Sequence, residues 1–175
     1  MSKLMGTFWV GLLLAVAGAG CAVDGGQGQA QSSRVLVFGG TGRLGSEITK
    51  TLLSNGHAVT VFARPQSDRQ RLQGLDVAFV VGDVLQADQV NDAIGAVQPA
   101  VVVDALGRGS SPVEFYADSA RHIASASAQH KVRQIILHGS VGAGDSVSLL
   151  GPSLSARNQR LYGAKSAGEK AVIES

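Results

Sequence analysis

One junction constrains this chain more than any other: Arg34-Val35-Leu36-Val37-Phe38 runs directly into Gly39-Gly40-Thr41-Gly42-Arg43-Leu44-Gly45. The first stretch is apolar and β-rich after Arg34, which predicts a short strand ending abruptly in glycine. Beyond the glycines, Leu44, Ile48, Leu52 and Leu53 recur at helical spacing until Asn55-Gly56 breaks the pattern, and Ala58 to Phe62 reads as a second strand. Strand, glycine turn, helix and strand within about thirty residues make a β-α-β unit. At such a turn the backbone N–H groups of the helix start point outward, the helix dipole favours an anion, and missing side chains permit close approach. The expected occupant is the pyrophosphate of a dinucleotide, held by Gly39, Thr41, Gly42, Arg43, Leu44 and Gly45. A triphosphate-cleaving loop also fits the spacing of Gly40 and Gly45, but it requires a lysine where Ser46 stands. A glycine-rich turn with no ligand is the bland alternative.

The end of the second strand bears on which dinucleotide. An acidic residue there accepts hydrogen bonds from a ribose 2′-hydroxyl and repels a 2′-phosphate. Here Ala63, Arg64 and Pro65 follow, and the first carboxylate is Asp68, beyond the strand. Arg64, and with it Arg43, can pair with a phosphate in two-pronged fashion. NADP is therefore expected over NAD, against the alternative that both arginines are solvated surface charges.

The remainder continues the alternation. Val77 to Val81 reads as a third strand, Ala87 to Val97 as a helix, Val101 to Val103 as a fourth strand, Val113 to Gln129 as a helix, Gln134 to His138 as a fifth strand, and Leu161 to Glu174 as a last helix. Val101 to Val103 is apolar at consecutive positions, as a strand covered on both faces must be. The expected fold is an α/β, Rossmann-like doubly wound parallel sheet of five strands with helices on both faces. Of the 175 residues, 45% are hydrophobic and 16% charged, enough for one core and not for two full domains. Lys plus Arg number 15 against 13 Asp plus Glu, which gives no broad basic field, so no nucleic-acid partner is expected.

The N-terminal segment has its own character. Leu4 to Val23 carries no charged residue, Lys3 precedes it, and the apolar centre from Phe8 to Ala17 gives way to small residues before Cys21. This is the outline of a signal peptide over residues 1–20, followed by a polar, glycine-rich tether over 21–33 and the folded domain over 34–175. Ala17-Gly18-Ala19-Gly20-Cys21 looks like a bacterial lipobox, in which Cys21 would be lipidated and hold an exported lipoprotein to the membrane. Ordinary cleavage near Ala19 or Ala22 to a periplasmic form, an uncleaved anchor, and a misassigned start giving a cytoplasmic chain stay open beside it. Cys21 is the single cysteine, which excludes an intramolecular disulfide and a cysteine zinc site.

With these elements placed, Arg34 to Ser175 resembles the atypical short-chain dehydrogenase/reductase family, in its NmrA-like NAD(P)H-binding branch. The motifs that carry the resemblance are VLVFGGTGRLG, the strand-end FAR, VVGDV around Asp83, Ala105-Leu106-Gly107, IILHGSVGAG and YGAKSAGEKAVIES. The resemblance implies that Asp83 and Val84 contact the adenine, that Ala105, Leu106 and Gly107 line the cofactor, and that Ser140 takes the place of the catalytic Ser or Thr. Active members place Tyr four residues before Lys, whereas Tyr162 here is three before Lys165. Both can still face the cofactor, because i and i+3 are neighbours on a helix. The resemblance then implies a reductase or isomerase of a small carbonyl compound, with Tyr162 donating a proton, Lys165 lowering the phenol pKa and binding ribose, and Ser140 holding the substrate oxygen. A dinucleotide-binding sensor or scaffold without catalysis, or an inactive truncated relic, is the alternative. Family members continue past the point reached at Ser175 with a sixth strand and a substrate region. The fifth strand is thus expected to be an edge that another segment or partner covers.

Other chemistries find less support. His138-Gly139-Ser140-Val141-Gly142 lacks the first glycine of a hydrolase elbow, and no histidine follows residue 138. His57, His122, His130 and His138 show no paired metal spacing and read as surface or strand-end residues, while Asp88, Asp92 and Asp118 read as a solvated face.

Overall fold

The computed structural model describes residues 32–150 and 154–175, so the expected signal peptide, most of the tether and Cys21 lie outside the described residues. Five parallel strands, β1 (Arg34–Phe38), β2 (Ala58–Ala63), β3 (Ala78–Val81), β4 (Val101–Asp104) and β5 (Gln134–Leu137), form one sheet in the order β3-β2-β1-β4-β5. Between them run α1 (Arg43–Ser54), α2 (Ala87–Val97) and α3 (Phe115–Gln129), and α4 (Ala156–Ile173) follows β5.

The period of the central strand divides the core in two. Leu36 and Phe38 face one side with Val102, Val90 and Ile94 of α2 and Ile123 of α3, while Val35 and Val37 face the other with Val61, Val103 and Ile48 and Leu52 of α1. Helices therefore cover both faces, which is why β1 reads as an uninterrupted apolar run. Phe38 packs on Phe62 at 4.9 Å between ring centroids, directly beneath the end of the sheet where the strands open into loops.

Boundaries differ from expectation where local pattern is silent. The last helix begins at Ala156 rather than Leu161, because the Ser155 hydroxyl accepts from the Asn158 N–H at 3.3 Å and starts it inside a polar stretch with no apolar period. The third helix begins at Phe115 rather than Val113, its entry being a pair of turns closed by Pro112 and Val113 carbonyls. Short 3-10 segments at Gln70–Leu72 and Gly144–Leu149 had no counterpart in the sequence reading. Among the described residues β5 is an outer strand of the sheet, and Ile136 on it and Val141 just after it are exposed.

Candidate dinucleotide site

The C-terminal ends of β1 and β4 meet at two glycines. Gly39 takes φ +78°, and a Cβ there would lie 2.6 Å from the Ala105 carbonyl oxygen. A Cβ on Gly45 would collide with the Gly39 carbonyl, so α1 approaches the turn only because that position is bare. The Gly42 N–H donates to Gly39 O at 3.0 Å and sets the turn. Gly42 caps α1 without any side-chain hydrogen bond, and no acidic residue stands in the first turn. The amides of Arg43, Leu44 and Gly45 thus have no carbonyl partner within the helix, and they offer donors and a positive dipole end to an anion. Thr41 is half-buried, while Gly42, Arg43 and Leu44 are exposed at the mouth of this cradle. These donors suit an anion such as a pyrophosphate.

The flanking residues spread along the same edge of the sheet. Arg64 follows β2 and is exposed, with no ion pair among the described residues. Asp83 sits after β3, where its carboxylate accepts from the Leu85 N–H at 3.0 Å and its own N–H donates to Gln89 Oε1 at 2.8 Å. Val84 beside it is buried, and its carbonyl accepts from His122 Nδ1 at 2.9 Å. His122 is thus a half-buried residue spanning α3 to the β3–α2 loop, a correction to the surface reading. Ala105 donates its N–H to Phe38 O at 3.0 Å, which brings Ala105, Leu106 and Gly107 beside the glycine turn, and Gly107 faces open space.

Beyond Ala105 lies a cleft lined by Asp104, Leu106, Tyr116, His138, Lys165 and Glu169. Asp104 closes β4 at 5% exposure, and its carboxylate accepts from the Leu106 N–H at 3.0 Å. Burial pushes this carboxyl up to about 6, against the pull of the Leu106 amide and the charge of Lys165. The Lys165 ammonium lies 4.2 Å from the centroid of the Tyr116 ring, and the Tyr116 hydroxyl accepts from the Arg108 N–H at 3.5 Å.

Lys165 and Leu106 thus line one cleft, whereas Ala105, Gly107, Tyr162 and Ser140 are not among the residues lining it. A Cβ on Gly142 would lie 3.0 Å from the Tyr162 ring, so the ring packs on the loop after β5. The neighbouring Ser166 hydroxyl donates to Tyr162 O and accepts from the Gly144 N–H, each at 2.8 Å. Ser140 is exposed, its hydroxyl 3.4 Å from Val141 O. The sequence reading missed Asp104 and Tyr116. For Asp104 a signal existed, a carboxylate closing the apolar run Val101–Val103; for Tyr116 no local signal did.

A family model of NAD(P)H-binding proteins matches residues 39–175. Among curated proteins, the chain is 40% identical over 63 residues to sterol demethylase protein B of Methylococcus capsulatus, covering 36% of this chain and 19% of that protein. It is 34% identical over 87 residues to a 3-beta-hydroxysteroid dehydrogenase of Mycolicibacterium neoaurum, covering 47% and 23%. Among solved structures, the Bordetella bronchiseptica enzyme WbmG in complex with NAD superposes with a TM-score of 0.66 at 22% identity, over 85% of this chain and 52% of that one. The anaerobillin reductase ChuY of Escherichia coli O157:H7 superposes with a TM-score of 0.68 at 21% identity, over 81% and 68%. The chain spans about half the length of WbmG, and its matches cover about a fifth of the curated relatives. A parallel sheet in the order 3-2-1-4-5, a bare glycine cradle at the end of β1 and a family match across most of the chain lead to one assignment: this protein belongs to the NAD(P)H-binding family.

Proposed function

We propose that the chain binds NADPH in preference to NADH and serves the reduction or isomerisation of a small carbonyl compound. The observation that carries this reading is the convergence of Lys165, Asp104 and Leu106 in one cleft, which the Ala105 backbone joins to the glycine cradle and where the nicotinamide half of a bound dinucleotide would lie. When bound, the reduced nicotinamide supplies a hydride. The residues of the chain hold it: the amides of Arg43, Leu44 and Gly45 take the pyrophosphate, Asp83 and Val84 border the adenine, Arg64 pairs with the 2′-phosphate, and Lys165 holds the ribose. Ser140 and Tyr162 are the assigned partners of the substrate oxygen, with Tyr162 giving up its phenolic proton as the oxygen gains charge.

One observation favours a second reading, in which the chain binds the dinucleotide without catalysis as a sensor or scaffold. The Tyr162 ring rests against Gly142, and proton donation requires the loop after β5 to shift it toward the cleft. On either reading the β5 edge is covered by a further segment or partner, and export with a lipid on Cys21 places the domain at a membrane on its tether.

Fluorescence titration of the purified chain with NADPH and NADH tests the proposal. Saturable binding with NADPH about tenfold tighter is expected from a paired phosphate. A folded chain that binds neither cofactor overturns both readings. Mass measurement of the mature N-terminus decides the export assignment.

A further inference from the structure

We propose that Tyr116 is the positioning residue for Lys165: its ring face is the platform that holds the ammonium over the cleft. The proposal rests on the reading above that Lys165 contacts the nucleotide. Tyr116 belongs to α3 and Lys165 to α4, and the two helices touch next to both residues. A Cβ on Gly168 would lie 2.9 Å from Tyr116 O and 3.1 Å from the Ala120 side chain, so the bare position lets α4 settle onto the first turns of α3. Lys165 stands one turn before Gly168 and on the same face, and that close approach carries its ammonium to 4.2 Å from the ring centroid.

The ring itself is held at both ends. Its backbone is in α3, and its hydroxyl accepts from the Arg108 N–H at 3.5 Å, in a loop that the Arg108 guanidinium closes on Ser111 O. A lysine side chain has a flexible four-carbon stem and is drawn to whichever negative group is nearest. The groups facing this ammonium are Asp104 from β4, Glu169 on α4 and His138 after β5. Glu169 lies against the loop after β5, where Cβ atoms on Gly139 and Gly144 would each be 2.7 Å from its carboxylate oxygens, and among the described residues it forms no ion pair with Lys165. That leaves the negative ring face of Tyr116 and the buried Asp104 carboxylate as the two attractions, and the ring keeps the ammonium from collapsing onto Asp104.

The test has two readouts. In the free protein, NMR of 13C-labelled lysines should show the Lys165 ε-protons, identified by their loss in Lys165→Met, shifted upfield by the ring current. That shift should persist in Tyr116→Phe and vanish in Tyr116→Leu. In NADPH titrations, Tyr116→Phe should bind within about twofold of the parent, Tyr116→Leu about fivefold more weakly, and Tyr116→Leu should add nothing in a Lys165→Met background. An unshifted Lys165 signal in the parent protein, or equal losses from Tyr116→Leu in both backgrounds, overturns the proposal. A shifted signal together with unchanged NADPH affinity in Lys165→Met upholds the platform and instead refutes the assignment of Lys165 to the nucleotide.

Discussion

Phe38 and Asp104 stand directly opposite each other as the last paired residues of β1 and β4, so a buried carboxylate closes the sheet beside a buried aromatic ring. The backbone explains how the pair is tolerated. Ala105 N–H donates to Phe38 O and Leu106 N–H to the Asp104 carboxylate, and both bonds turn the chain toward the glycine cradle. The carboxylate thus shapes the loop that borders the site at the cost of its own desolvation.

That cost has a pH dependence with a definite sign. The folded Asp104 carboxyl titrates at about 6 against an ordinary 3.8, so between those values the folded chain binds more protons than the unfolded one. Stability from this group is complete below the unfolded value and declines as pH rises through the folded one, by about 3 kcal/mol in all. Asp104→Asn should match the parent near pH 4, exceed its stability at pH 7 and lose the slope between, as read by urea unfolding. An identical slope in both proteins refutes the assignment.

The glycine cradle yields a contrast between two alanine substitutions. At Gly45 a Cβ meets the Gly39 carbonyl, and overpacking of this kind costs about 1–3 kcal/mol. At Gly107 a Cβ meets nothing within 4 Å. Gly45→Ala should therefore lower the melting temperature and abolish dinucleotide binding together. Gly107→Ala should leave the melting temperature unchanged and weaken binding only through the bound cofactor. Thermal melts with and without NADPH distinguish them.

Arg64 carries the cofactor preference. It is exposed at the end of β2 and engages no acidic residue among the described ones, so its removal should not disturb the fold. Arg64→Ala should weaken NADPH binding by about tenfold and leave NADH binding as it was. Equal weakening of both cofactors, measured by titration, would remove the 2′-phosphate from its role.

Ser155 starts the helix that delivers Lys165. Its hydroxyl accepts from the Asn158 N–H, and replacing such a cap by alanine costs about 1 kcal/mol. Ser155→Ala should show that loss in urea unfolding, and hydrogen exchange should place the increased opening in residues 156–160 rather than in the sheet. Exchange unchanged in that turn would show that the cap is not what holds it.

The elements were legible because each rests on a local cause. Apolar runs at β1, β2 and β4 follow from burial on both faces, and α1 and α2 follow from helical spacing ended by Asn55-Gly56 and by Gln98-Pro99. The glycine turn was legible because a positive φ at Gly39 and a forbidden Cβ at Gly45 are demands of the backbone itself. The start of α4 was not, since a polar first turn has no apolar period to reveal it.

By itself, then, the sequence determined the order of strands and helices, the cradle at the end of β1 and the family. Tertiary structure alone decided which side chains share the cleft. Asp104 arrives from β4, Tyr116 from α3 and Lys165 from α4, while Tyr162, on the same helix as Lys165, turns to the loop after β5. Periodicity is a property of one segment, whereas a meeting of charged and aromatic groups depends on how closely two helices approach. Here that distance is set by the absent side chain of Gly168 against the backbone of Tyr116.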